Sequence, residues 1–446
     1  MKTLLKSTKA QLIIFFCCYA LSYSMSRCGL YFGSGIPLAV LAVYLYGVSY
    51  FVSRNLIDFR ALFSLSWIGG QSLSCLKLSH LQSDWSPVTW LCFILAYLCF
   101  WFGLECKWFG KSTTGSKRSE LNADELTRHR LLVCITVTTA VSAAAFLTEA
   151  FYLKFIPILS DKPHAYSYFH IPGVHYFTVC FIFVPALVLM YYKLCDDRNV
   201  KPAGVVWLCA AVSIVIPILC VSRSHLIFTF LLAVTVYLYL SKNIRLRYIV
   251  LIIAILIPAC VVLTFFRHHA ASYLNSVFDM KNPDIPIFIT QPYIYISNNY
   301  DNFNCLVEGL PHHTWGLRML FPFFAFTGLK FRFEQLVSMP IYTTKQELTT
   351  LTMFYDAYYD FGIAGIGLFA WLLGYVCRRL RRISEQYRNP ITVLLYGQIA
   401  IYLLLSFFST WFSNPTTWFW LIVTAAMYRY VKRGFDGKQI PGNDET

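Results

Sequence analysis

Two aspartates four residues apart, Asp356 and Asp360, stand in the stretch TMFYDAYYDFGIAGIGLF (352–369), where tyrosines precede an apolar, glycine-spaced run. At i, i+4 they share one face of a helix, and Tyr359 lies one step from the same stripe. Carboxylates turned toward lipid are costly, so this pair is expected to face a cleft or a basic partner. A carboxylate at a cleft can take the proton of a substrate hydroxyl. Asp356, placed ahead of the glycines on the outer side, is the preferred base. Asp360, Tyr355 and Tyr359 are candidate substrate contacts, although Tyr355, Tyr358 and Tyr359 would equally suit an aromatic belt at headgroup level. Gly362, Gly365 and Gly367 are expected to let another helix approach closely.

The second chemical signal is Arg223 in LCVSRSHLIF (219–228), set between apolar runs. An arginine at bilayer depth costs about 2.5–3.5 kcal/mol, so it normally faces a cavity or a partner. It is either a snorkelling residue of a tight hairpin or an anion site, because the guanidinium fork matches diphosphate oxygens. Ser222 beside it is a candidate contact. In FFRHHAAS, Arg267 closes an apolar run and is either an interfacial anchor or a further cation. His268 and Arg318 complete the candidate contacts. His313 is the alternative base, since imidazole accepts protons near neutral pH. The adjacent pairs His268–His269 and His312–His313 cannot ligate a metal from one helical face. No HExxH or DxD pattern stands in an outer segment, so neither metal nor cofactor is expected.

What must position these residues is membrane helix. Of 446 residues, 57% are hydrophobic and 13% charged, with mean hydropathy +0.55. That is too much apolar surface for a soluble core. There are about twelve apolar runs of spanning length, near 11–25, 35–52, 61–78, 88–105, 131–149, 175–192, 204–221, 226–240, 248–266, 351–376, 391–408 and 413–430. The third is weakest, with Gly69, Gly70 and Gln71 at its centre. Alternation at period two is missing, which excludes a barrel. The first run follows Lys2, Lys6 and Lys9 and reads as a retained signal anchor, since no clear cleavage site follows. The expected fold is therefore an all-α, polytopic integral membrane protein forming one transmembrane domain over 1–446, with extracytoplasmic segments at 150–174 and 267–350. Within the latter, FPFFAFTGLKF is too short to span and is expected at the interface or as a re-entrant piece.

With both termini placed in the cytoplasm, most of the 37 Lys and Arg fall inside, clustered in KSTTGSKR, SKNIRLR, CRRLRRISEQYR and YRYVKR. This positive-inside bias explains the net charge of +15 without nucleic acid. Every histidine except His129 falls outside, which suggests that the polar chemistry is extracytoplasmic. The fifteen cysteines sit mostly in apolar runs as small hydrophobes, and no CxxC pair suggests a zinc site or disulfide framework.

Three stretches carry a resemblance. YYDFGIAGIGLFAWLLG resembles the last block of the O-antigen polymerases, the Wzy-type oligosaccharide repeat-unit polymerases. FIPILSDKPHAYSYFHIPGVHYF looks like an outer block of the same family, and SRSHLIF is similar to the arginine opening a mid-chain span there and in O-antigen ligases. The resemblance implies a metal-independent, lipid-donor membrane glycosyltransferase of GT-C-like architecture, in the bacterial inner membrane. Such an enzyme moves a growing glycan from undecaprenyl diphosphate to the terminal sugar of a fresh lipid-linked unit. Arg223 and Arg267 would then bind the donor diphosphate. The implied partners are the undecaprenyl-diphosphate-linked glycan, membrane lipid and a polysaccharide chain-length regulator. Ligases typically carry a histidine about ten residues before the glycine pair; LTTLTMFYDAYYDFG has none, which favours polymerase. A transporter is the competing class, but neither the inverted repeats nor the matched broken helices of transporters are visible.

Overall fold

The computed structural model describes residues 7–106, 124–160, 165–241, 271–386 and 389–436. These are helical throughout, apart from connections and one isolated bridge between Ser79 and Met280. Among them, six helices are long and apolar enough to cross a membrane: Tyr31–Ser53, Pro87–Glu105, Glu125–Leu153, His175–Asp196, Arg223–Leu240 and Tyr355–Glu385. Val205–Leu219 and Pro390–Leu404 are apolar but shorter. Thr8–Arg27 and Pro415–Asp436 have the length without belonging to that set. The expected span at 248–266, with Arg267 and His268 after it, lies outside the described residues. Contacts divide the chain into two units, one drawn from 1–112, 270–379 and 402–418, the other from 113–269, 380–401 and 419–446.

In the first unit, the weak run at 61–78 is not one helix. It forms Phe59–Phe63, a π-helical turn Ser64–Ile68, and Gly69–Cys75. A π-turn loosens the regular hydrogen-bond ladder. Here the Tyr300 hydroxyl donates to the carbonyls of Ser66 and Trp67 at 3.2 and 3.1 Å. A Cβ on Gly70 would lie 2.3 Å from that hydroxyl, so the close approach requires glycine.

Tyr300 belongs to Ile287–Gly309, a 23-residue helix inside the segment expected as an outer loop. Its residues from Ser297 to Asn304 are buried or nearly so, most of them polar. The Asp301 carboxylate is fully buried and accepts from Lys77 Nζ (2.6 Å), Trp85 Nε1 (2.9 Å), Ser74 Oγ (2.8 Å) and Gln82 Nε2 (2.9 Å). Four donors offset the desolvation that an isolated buried charge would suffer. Asn302 Nδ2 donates to the carbonyls of Leu348 and Thr350 at 2.8 and 2.9 Å, and Thr344 N donates to Asn302 Oδ1 at 2.8 Å. The Thr350 hydroxyl bonds Asn299 Oδ1 at 2.6 Å. This helix thus fixes the 344–350 connection that leads into Tyr355.

In the second unit, Asp124 caps Glu125–Leu153 by accepting from Thr127 N at 3.1 Å. Leu153 is followed by Lys154 in the left-handed conformation, φ 60°, where the helix ends. Arg223–Leu240 packs on the Val184–Asp196 segment. Gly397 faces Leu232, Thr235 and Val236, and Gln398 Nε2 donates to Thr424 Oγ1 at 2.6 Å.

Candidate active site

The two aspartates that share a helix face hold one arginine between them. Asp356 Oδ1 accepts from Arg318 Nε at 2.5 Å. Asp360, with no exposed surface, accepts from the Thr314 hydroxyl, from Arg318 N at 3.1 Å and from Met319 N at 2.8 Å. One carboxylate therefore fixes the arginine's side chain and the other its backbone. Backbone bonds from Thr314 N to Tyr359 O (3.3 Å) and from Trp315 N to Asp360 O (3.1 Å) fasten the same turn to the helix. The guanidinium carbon lies 4.8 Å from the Tyr359 ring centre and 5.7 Å from that of Tyr355, a cation–π arrangement. Tyr355 is fixed in turn, its hydroxyl donating to Tyr342 O at 3.0 Å and accepting from Tyr342 N at 2.8 Å. Burial alone would lower the Arg318 pKa, but the Asp356 charge and hydrogen bond outweigh it and hold the pKa above the ordinary value.

The helix carrying the aspartates breaks immediately after them. Gly362 has φ 62° and ψ −145° within Tyr355–Gln386, so the run expected as an unbroken helix is two segments joined at a kink. A Cβ at Gly362 would lie 2.8 Å from His313 Nε2. The glycines also differ from expectation in what approaches them. At Gly365 the near atom is the helix's own Ala357 O, 2.2 Å from a built Cβ, and at Gly367 it is Cys99 Sγ at an ordinary 3.7 Å. Close helix–helix approach occurs lower, where a Cβ on Gly374 would meet Phe100 O at 2.1 Å and one on Gly103 would meet Trp371 O at 2.2 Å.

Arg318 and Asp356 line a cavity of about 410 Å³ within the first unit. Among the described residues, Asp356 Oδ2 and the terminal nitrogens of Arg318 make no hydrogen bond, so both can serve a ligand. Sequence reasoning grouped Asp356, Asp360 and Tyr359 by helical spacing and named Arg318 without linking it to them; the structure brings Arg318 onto Asp356, Tyr355 and Tyr359. His313 is close by but outside the cavity lining. Its Nδ1 is 3.3 Å from Tyr359 O and its ring meets the Tyr358 ring edge-on at 5.7 Å. Missed by sequence reasoning were Thr410, Ser413 and Asn414, which reach the same cavity from the turn before Pro415. A run of small polar residues between apolar spans was the available signal.

Arg223 lies in the second unit at the first position of its helix, with Ser222 preceding it. Ser222 Oγ and His225 Nδ1 are 2.6 Å apart. Another buried carboxylate in this unit, Glu149, accepts from Ile171 N (3.0 Å) and the Thr178 hydroxyl (2.8 Å), with His175 Nδ1 at 3.1 Å. It staples the segment before the His175 helix to Glu125–Leu153. Among the described residues, no three His, Cys, Asp or Glu side chains converge as a metal site.

No curated protein and no solved structure matches the chain. A family described as “Putative O-antigen polymerase” matches residues 62–407, a range that includes Arg223, Arg318, Asp356 and Asp360 and ends before Thr410, Ser413, Asn414 and Pro415 of the cavity lining. With most of its length in that match, the chain belongs to the O-antigen polymerase family.

Proposed function

We propose that this membrane protein polymerises lipid-linked oligosaccharide repeat units, moving the growing glycan from undecaprenyl diphosphate to the terminal sugar of a new unit. The observation that carries the reading is the Arg318–Asp356 pair lining a cavity, with one carboxylate oxygen and two guanidinium nitrogens unbonded among the described residues. In the proposed step, Asp356 Oδ2 takes the proton of the acceptor hydroxyl. The hydroxyl oxygen bonds to the anomeric carbon of the donor. The bond from that carbon to the diphosphate breaks, and its electron pair leaves with the lipid diphosphate. Arg318, oriented by Asp356 and Asp360, meets the charge that develops there. Fixed donors of this kind are typically worth a factor of about 10²–10³ in rate.

On this reading no metal is needed, because the fixed cation supplies the neutralisation. Arg223, and Arg267 beyond the described residues, are further diphosphate contacts by family resemblance. The protein would be an inner-membrane enzyme of about twelve spans and GT-C-like architecture, with both termini in the cytoplasm and a chain-length regulator as partner. Product length tests the reading in cells. With the gene deleted, the lipid carrier should bear single repeat units. The wild-type gene should restore a ladder of longer chains, and Asp356→Asn, expressed at normal level, should not. A ladder that persists without the gene assigns polymerisation elsewhere.

A further inference from the structure

The cavity has a polar side that the transfer chemistry above does not use. Thr410, Ser413 and Asn414 line it together with Arg318 and Asp356. The segment that carries them is clamped. Trp411 Nε1 donates to Leu405 O at 3.0 Å, Trp418 Nε1 donates to Phe412 O at 2.7 Å, and the Trp411 and Tyr402 rings stack at 5.1 Å. Upstream, Ser406 O accepts from Met353 N at 2.7 Å and Ser406 Oγ bonds Ser66 Oγ at 2.7 Å. Asn414 Oδ1 is committed to Thr416 N at 2.9 Å, capping Pro415–Asp436, so its amide NH₂ is left as the donor end.

Two hydroxyls and one amide on a fixed turn provide both donors and acceptors without charge. The formal charges of Arg318 and Asp356 cancel within the same cavity. The remaining lining is largely apolar, including Phe321, Val337 and Ile341. A pyranose ring has the same two-sided character, with hydroxyls around its edge and C–H groups on its faces. An isoprenoid chain would leave the three polar side chains unpaired, and a second anion would find only one cation, already shared with Asp356. At about 410 Å³ the cavity is of small-molecule size.

We infer that Thr410, Ser413 and Asn414 form a subsite for one neutral sugar residue of the glycan, and that they set which sugar the cavity accepts. The inference rests on the glycan-transfer reading of this cavity. Its test measures binding directly, so that the two can fail separately. The full-length protein in detergent micelles is titrated with methyl glycosides of glucose, galactose, mannose, rhamnose and N-acetylglucosamine, read by saturation-transfer NMR. At least one glycoside should bind to the wild-type protein. Thr410→Val, Ser413→Ala and Asn414→Asp should each weaken it about 2–10-fold, the worth of one neutral hydrogen bond, at unchanged melting temperature. Asn414→Asp keeps the capping oxygen but replaces the NH₂ donors with a charged carboxylate oxygen, so a role confined to the helix cap would leave glycoside binding intact whereas a neutral donor subsite would not. The three variants should also alter the ranking among epimers. Absence of binding by every glycoside, or equal binding and ranking in all variants, overturns the subsite. A wild-type protein that binds glycosides but forms no polymer instead removes the polymerase reading and leaves the subsite standing.

Discussion

Replacing Arg318 with lysine separates charge from geometry. The ammonium keeps the positive charge and can still reach Asp356, whose side chain is 4% exposed. It loses the planar fork, so one point charge must now serve both Asp356 and the ligand. It also gives up contact with the Tyr359 and Tyr355 rings, at 4.8 and 5.7 Å from the guanidinium carbon. Two cation–π contacts at about 0.5–1 kcal/mol each set the stability loss at about 1–2 kcal/mol. The backbone bonds to Asp360 remain, because they come from Arg318 N and Met319 N rather than the side chain. Loss of a preorganised donor to the leaving group costs more, about 10²–10³ in rate. Arg318→Lys should therefore melt within a few degrees of wild type yet extend glycan at least a hundredfold more slowly. Reconstituted protein, a lipid-diphosphate-linked oligosaccharide and gel resolution of the product ladder give the rate, and light scattering on heating gives the melting point. A lysine variant with wild-type rate would refute the fork argument. Activity falling only as far as the folded fraction falls would make the arginine structural.

Other positions give sharper contrasts. Asp360→Asn puts an NH₂ among groups that already donate to Asp360 Oδ1 and Oδ2. It should cost about 2–4 kcal/mol by the worth of charge-assisted bonds, seen as proteolytic cutting of the 314–319 turn, whereas an uncut turn would contradict the placement. Gly362→Ala adds a strained φ of 62° to a 2.8 Å clash with His313 Nε2. His313→Ala in the same chain should restore only part of the lost melting temperature, and complete rescue would mean the backbone is unstrained. For Arg223, alanine should reduce polymerisation strongly at near-normal expression and lysine should restore only part of it; full activity of either variant makes it a membrane anchor. Chelation with EDTA should leave transfer intact, and loss that Mg²⁺ or Mn²⁺ restores would overturn the metal-independent step.

How far the sequence could be read depended on the distance over which each feature acts. The common face of Asp356 and Asp360 follows from helical spacing, so it was legible. Arg318 was recognisable as a candidate, but its attachment to Asp356 joins residues 38 positions apart and leaves no periodic trace. The kink at Gly362 was hidden because glycine spacing in an apolar run looks the same whether it admits a helix or a positive φ. Ile287–Gly309 was read as loop because hydropathy reports which faces can meet lipid. A helix whose Asn, Asp and Tyr side chains are paired inside protein carries no apolar stripe. The weak run at 61–78 had the complementary ambiguity, since Gly70 admits the Tyr300 ring and Gln71 accepts from the Tyr19 hydroxyl, both inside protein.

Purified protein supplied with one lipid-diphosphate-linked repeat unit, and no nucleotide sugar or divalent metal, addresses the central assignment most directly. The account predicts a ladder of products, each longer by one whole repeat unit, with lipid diphosphate released in step with each extension. The ladder should be absent with Asp356→Asn. No extension by well-folded wild-type protein, or extension undiminished in the Asp356→Asn variant, would contradict it.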